Sequence, residues 1–465
     1  MSGIITNNGK SRELLKQFYS PNLILKNSFD DYENLYCFFA KIEPWDNENS
    51  PPTPTNTDFY IKQLYKNIIA FKKINSNDIS PVIERIDWSS GTIYDQYSDS
   101  ENMTELNSEG KLTKQFYVRN NYDQVFKCLY NGNNVNNTTG IPSTEMPIID
   151  FNVNSSSDII QTSDNYKWKY LFSIDYGSKI KFFDEKWIPL PVDTNRKQLN
   201  NNPIKGGEIS VINVFNSGNN YVDDSGLNIT TKIEILGDGY GANASAIVVD
   251  GKINDVIINN SGTNYSYATA NISPQLNYSG NGAILVTSVS PIGGHGYDLI
   301  SELGCNHVMI TSEFNSSENG QISDNIDYRQ IGLITNPQIK IGSDYIFANS
   351  YIYSLTYTIL VSPGSETYLE DELVYQGLNL QESSFVGRVV NFDQNNNLLY
   401  VINNVGVLNK NELLKGSTSN NVRIVLNDIV DDILPYSGDI IYVENRKKIQ
   451  RIPSGIEQFR LVLQY

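Results

Sequence analysis

His295 and His307 are the only histidines in the chain, and Cys305 lies between them. Imidazole and thiolate are zinc ligands, and Asp298 could supply the fourth donor of a tetrahedral site. The spacing matches no paired-ligand knuckle, however, and His295 sits inside Gly293-Gly294-His295-Gly296, which reads as a turn whose glycines supply backbone freedom. A second candidate is Gly237-Asp238-Gly239-Tyr240-Gly241. A phosphate loop must open a helix so that its first amides face the anion. Here ANASAIVV follows, a strand pattern, so the glycines mark a turn. Asp223, Asp224 and Asp238 could hold calcium at loops, but the D-x-D-x-D-G spacing is absent and solvated turn carboxylates are expected.

No G-x-S-x-G, H-E-x-x-H or Walker motif occurs. The 52 acidic residues offer many carboxylate pairs, and nothing singles out one for glycoside cleavage. We therefore assign no catalytic, cofactor or metal residue and expect a non-enzymatic protein. Trp45, Trp88, Trp168 and Trp187 could be sugar platforms or interface anchors, but core burial is the expected role. Thirty tyrosines are enough that some must reach interfaces.

Charged residues are 19% of the chain, below the roughly 25% usual in soluble domains. The 35 basic residues against the 52 acidic ones give a net charge of −17, which repels phosphate backbones and argues against nucleic acid as a partner. Cys37, Cys128 and Cys305 are odd in number and far apart, so we expect free thiols in a reducing compartment. No run of about 18 apolar residues suggests a membrane span, and MSGIITNNGKSRELL does not resemble a signal peptide. These features fit a protein assembled in a cytoplasm.

The elements that would position these residues are mainly β. Tyr, Val, Ile, Phe and Thr suit pleated surfaces, while Asn, Gly, Ser and Asp supply turns. Two short N-terminal helices should pack on a sheet. One is Arg12–Tyr19, capped by Ser11. The other is capped by Asp58, with Ile61, Leu64, Tyr65, Ile68 and Ile69 forming one apolar stripe. Strands are expected at Leu35–Ile42, Tyr117–Val118, Val125–Leu129, Trp168–Ile174 and Trp187–Leu190, with surface loops from Asn131 to Asp164.

An internal repeat follows. VINVFNSGNNY (211–221) recurs as VIINNSGTNY (256–265), with a weaker echo ending at Tyr297, and GDGYGANASAIVV (237–249) is answered by SGNGAILVTSV (279–289). Such units must share a core, because none can bury its apolar face alone. A second β-unit is expected at 346–428. The division is thus an N-terminal core at 1–200, an inserted repeat domain at 205–303, a return to the core at 304–345, the second insertion at 346–428 and C-terminal core strands at 429–465. The fold class is multi-domain, mainly β, with sandwich or jelly-roll-like units.

Seven segments, in order, carry a resemblance. They are Glu13–Tyr19 (ELLKQFY), Glu43-Pro44-Trp45 with its Pro-rich sequel, Arg85–Trp88 (RIDW), Val125–Leu129 (VFKCL), Asp164–Phe172 (DNYKWKYLF), Arg329–Pro337 (RQIGLITNP) and Ser437–Arg446 (SGDIIYVENR). Together they resemble the gene-eight baseplate wedge family of T-even-like contractile-tailed bacteriophages. The resemblance covers 11–190, 325–337 and 436–465, and leaves 205–325 and 346–428 as insertions. It implies a β-rich homodimer in the virion, one of the structural subunits of each baseplate wedge. Such a subunit contacts neighbouring wedge proteins, takes part in assembly and re-packs on host contact, without a cofactor. A carbohydrate-binding or depolymerising tail adhesin is the alternative, suggested by the Tyr-, Asn- and Gly-rich repeats; the non-repeat segments at both ends argue against it. A calcium-loaded secreted β-protein is a third reading, opposed by the N-terminal sequence.

Overall fold

A computed structural model describes residues 3–5, 34–150, 159–191, 206–222, 231–272, 280–429 and 433–464. The chain is mainly β, with several sheets, one closed barrel and few helices among the described residues. The expected helix Arg12–Tyr19, and Asp223 with Asp224, lie outside those residues. Contacts divide the chain into two compact units, 1–79 with 310–463, and 80–309. By that division residues 80–190 belong with the repeat at 206–303, and residues 34–79 with the C-terminal half.

The first unit is built on a six-stranded antiparallel sheet. Its order is Gly3–Ile5, Asp439–Gln450, Asp327–Thr335, Leu35–Ala40, Ile68–Lys73 and Ile352–Ser354. The two central strands, LYCFFA and DYRQIGLIT, are buried at every position, so both faces are covered. One cover is the helix Asp58–Asn67, whose Tyr60, Ile61, Leu64 and Tyr65 pack on Tyr36, Phe38, Ile334 and Val443. Each fully buried aromatic of this kind contributes about 1.5–3 kcal/mol.

That helix differs from expectation at both ends. Thr57, and not Asp58, is the cap, its side chain accepting from the Tyr60 amide at 3.3 Å; Asp58 is a first-turn acid near the positive end of the dipole. Ile68 and Ile69 continue the helical spacing in sequence but begin a strand. Ile68 pairs with Ala40, and β-branched residues suit that sheet better than another helical turn.

Between the edge strand Ile352–Ser354 and residue 433, six strands close a barrel. Their order is Tyr357–Val361, Leu398–Gly406, Ser383–Asp393, Leu373–Gly377, Leu413–Gly416 and Val422–Ile429. Ile359, Val374, Phe385, Val389, Val401, Leu414 and Val425 fill it. Entry and exit adjoin, since Thr358 pairs with Ile429.

The second unit holds a four-stranded sheet, Tyr117–Arg119, Gln124–Tyr130, Lys167–Ser173 and Ile159–Gln161. Its core joins Tyr94, Val118, Phe126, Cys128, Tyr166 and Trp168. Residues 131–150 are irregular, as expected, but not merely a surface loop, since Asn131, Ser143 and Ile149 are buried; Ile159–Gln161, expected as loop, is a strand. Asn131 Nδ2 donates to the Tyr94 carbonyl at 2.9 Å, and the Asp164 carboxylate accepts from the amides of Thr144 and Glu145.

The repeat in the same unit is a two-layer structure. Ile209–Asn219 pairs with Asn281–Val289, and a four-stranded sheet runs Lys252–Thr263, Tyr240–Val249, Thr231–Gly237, Ala268–Ile272. Both layers bury residues around Ile212, Tyr221, Ala244, Ile253 and Tyr265. Tyr221 donates its amide to the Gly251 carbonyl at 2.9 Å, and Tyr265 donates to Gly207 at 3.0 Å, so each copy receives the end of the other. The third echo does not continue the pattern. Residues 291–298 are turns, and they lead into the short helix Leu299–Glu302, which Asp298 caps.

Candidate functional site

Buried lysines mark two polar centres that sequence motifs did not reveal. In the second unit Lys127, on the strand Gln124–Tyr130, reaches Glu302 Oε1 at 2.7 Å, with both side chains almost wholly buried. The ammonium also lies 3.3 Å from the centre of the Tyr97 ring, a cation–π contact. Glu302 Oε1 lies 2.8 Å from His295 Nδ1, and Oε2 accepts from the Gly296 amide at 2.6 Å. The other imidazole nitrogen, Nε2, is 3.0 Å from Ser210 Oγ.

Serine, imidazole and carboxylate therefore stand in the order of a hydrolase relay. The electrostatics oppose that chemistry. Burial drives the imidazole down to about 4; the bond to Glu302 opposes the fall and the Lys127 charge deepens it. A base that weak is poorly matched to deprotonating a serine near neutrality. Burial pushes the Glu302 carboxyl up, but His295 and Lys127 outweigh it and hold it at about 2. Burial draws Lys127 down to about 8, against the pull of Glu302. At neutral pH the lysine and the carboxylate are both charged and the imidazole is neutral. The network ties the 291–302 segment to the sheet below it.

In the first unit Lys41 bonds to Asp327, to Glu370 at 2.6 Å and to Asp371 at 3.3 Å. Asp327, Glu370 and Asp371 are close enough to chelate a metal, but the Lys41 ammonium already supplies the cation among them. Burial raises the Asp327 carboxyl; Lys41 and Arg329 overcome that and hold it at about 2. Arg329 extends the network to Glu48 at 2.7 Å, and Arg388 joins Asp371 to Glu43 at 3.0 Å each. Lys41, Glu43 and Asp327 belong to the sheet and its loops, and Glu370, Asp371 and Arg388 to the barrel. The network pins the barrel to the sheet.

The third feature is an open cleft of about 680 Å³ within the second unit. Residues 130–141 and 161–167 line one side, and residues 213–219 and 252–255 the other. Its lining is rich in amides, among them Asn136, Gln161, Asn165, Asn213 and Asn254. The Lys167–Asp255 pair, at 3.3 Å, stands in it.

Among the described residues, His295, Cys305, His307 and Asp298 do not converge on one point. Cys305 Sγ faces the Val82 carbonyl at 3.3 Å, and His307 packs on Trp187 with ring centres 4.4 Å apart. Cys37, Cys128 and Cys305 are free and buried. Gly237–Gly241 is a strand-to-strand turn, where Asp238 accepts from the Ser266 and Tyr267 amides. Of the tryptophans, Trp168 is fully buried and stacks on Tyr166 at 5.2 Å. Trp45 donates to the Arg446 carbonyl at 2.8 Å and Trp88 to Ser143 Oγ at 3.0 Å, so their polar edges are engaged within the fold. No family model matches the chain, and no curated protein matches it.

Proposed function

We propose that this chain is a non-enzymatic structural subunit of a phage baseplate wedge, working as a homodimer that contacts neighbouring wedge proteins. The observation that carries the reading is an apolar outer face on the barrel. Val422, Ile424 and Leu426, alternate residues of one strand, are 47, 41 and 45% exposed, while Arg423 and Val425 between them point inward. Leu413, paired with Ile424, extends the row. A separate hairpin, Gln338–Ile341 with Asp344–Phe347, exposes Ile341, Tyr345 and Phe347. Monomeric proteins rarely leave contiguous apolar surface of this kind uncovered. The seven ordered segments supply the more specific assignment. The buried charged networks also fit a protein whose polar residues hold modules together.

Light scattering of the purified chain at micromolar concentration tests the dimer. A dimer that Ile424→Lys converts to a monomer agrees with the proposal, and a wild-type monomer contradicts it.

A further inference from the structure

We propose that the cleft of the second unit is a binding site for a hydroxyl-rich oligosaccharide. This inference stands apart from the wedge reading, because it rests only on the cleft.

Its volume, about 680 Å³, falls in the ~300–1,000 Å³ range of ligand pockets. Most such pockets are apolar; this one presents amides. The side chains of Asn136, Gln161, Asn165 and Asn254 make no hydrogen bond to the described residues, though all four line one cleft. Asn213, in the wall, is 3% exposed; its Nδ2 donates to the Leu129 carbonyl at 3.2 Å and its Oδ1 has no partner. An amide offers donors and an acceptor in one plane. Neighbouring sugar hydroxyls, each both donor and acceptor, are the complementary group.

The lining narrows the class. Lys167 is paired with Asp255, and exposed Lys252 also lines the cleft, so the three leave one net positive charge there. A lipid would leave the amides unpaired at a cost of about 1–3 kcal/mol for each buried group. Half-buried Tyr130 and Phe215 also line the cleft and offer ring surface to the C–H face of a sugar.

The test uses the full chain on a printed array of neutral and acidic oligosaccharides, followed by calorimetry on the strongest ligand. The double variant Gln161→Ala/Asn254→Ala removes two partnerless side chains and is expected to keep the wild-type melting temperature. Binding should weaken about tenfold or more, as expected for two lost hydrogen bonds. Asn395→Ala, on a hairpin tip of the other unit, should leave binding unchanged. A wild-type chain that captures no saccharide overturns the proposal, as does undiminished binding by the double variant. Cleft-dependent binding of a protein partner in place of any saccharide also overturns it.

Discussion

Lys127 and Glu302 form an ion pair at 2.7 Å in which neither side chain retains more than 3% of its exposure. Removing one member of such a pair leaves an uncompensated buried charge. Lys127→Met should therefore destabilise the second unit by about 3–5 kcal/mol. Lys127→Met/Glu302→Gln should recover much of that loss, because the orphaned charge is gone. Urea unfolding of the two single variants and the double variant measures the difference; a double-variant loss equal to the sum of the single losses would show that the pair is not coupled.

The same centre makes stability depend on pH. His295 has its proton affinity lowered from 6.5 to about 4 in the fold, so between those values the unfolded chain binds more protons. The contribution of His295 is present in full above pH 6.5 and is lost as pH falls towards 4, by about 3 kcal/mol at 1.36 kcal/mol per unit. Glu302, lowered from 4.5 to about 2, adds a further loss below pH 4.5. Melting temperature against pH should fall through this window, and His295→Gln should flatten the part between 6.5 and 4.

The repeat predicts a steric effect. A methyl on Gly239 would run into the ring of Tyr265, and one on Gly280 into the ring of Tyr221. Either Gly→Ala change should cost about 1–3 kcal/mol through overpacking. Gly320→Ala, where φ is +84° and the space is open, should cost only about 1–2 kcal/mol of backbone strain. Denaturant midpoints of the three variants check this; wild-type midpoints for Gly239→Ala and Gly280→Ala would contradict the shared tyrosine packing.

Removing the barrel should leave a folded remainder only if the cut respects the sheet. Excision of 357–429 preserves Ile352–Ser354 on Ile68–Lys73, and a short linker can join the adjoining ends. Excision of 346–428 removes that edge strand as well. Cooperative unfolding is expected for the first product, and a clearly less stable remainder for the second. Circular dichroism melts distinguish them.

The strands were legible because alternation and turn residues agree. VFKCL and KWKYLF appear within a few residues of where they were expected, since each is apolar, rich in β-formers and bounded by Asn, Asp or Gly. The helix stripe overran at Ile68 and Ile69 because spacing alone cannot tell that a strand waits to pair there. The polar centres were not legible as motifs, their members being spread over distant segments. One local signal was present: Lys41, Lys72 and Lys127 each interrupt an apolar strand sequence, and all three are buried in ion pairs. A lysine among strand apolars is costly unless a carboxylate meets it. Such a position announces a partner without saying which. The cleft was invisible in the sequence, because its amides belong to an alphabet that is Asn-rich everywhere.

The wedge assignment is tested most directly by immunogold electron microscopy of intact virions with antibody raised against the recombinant chain. Label confined to the tail tip, distributed with six-fold symmetry, is the predicted result. Label along fibres, or no label on the particles, would contradict it.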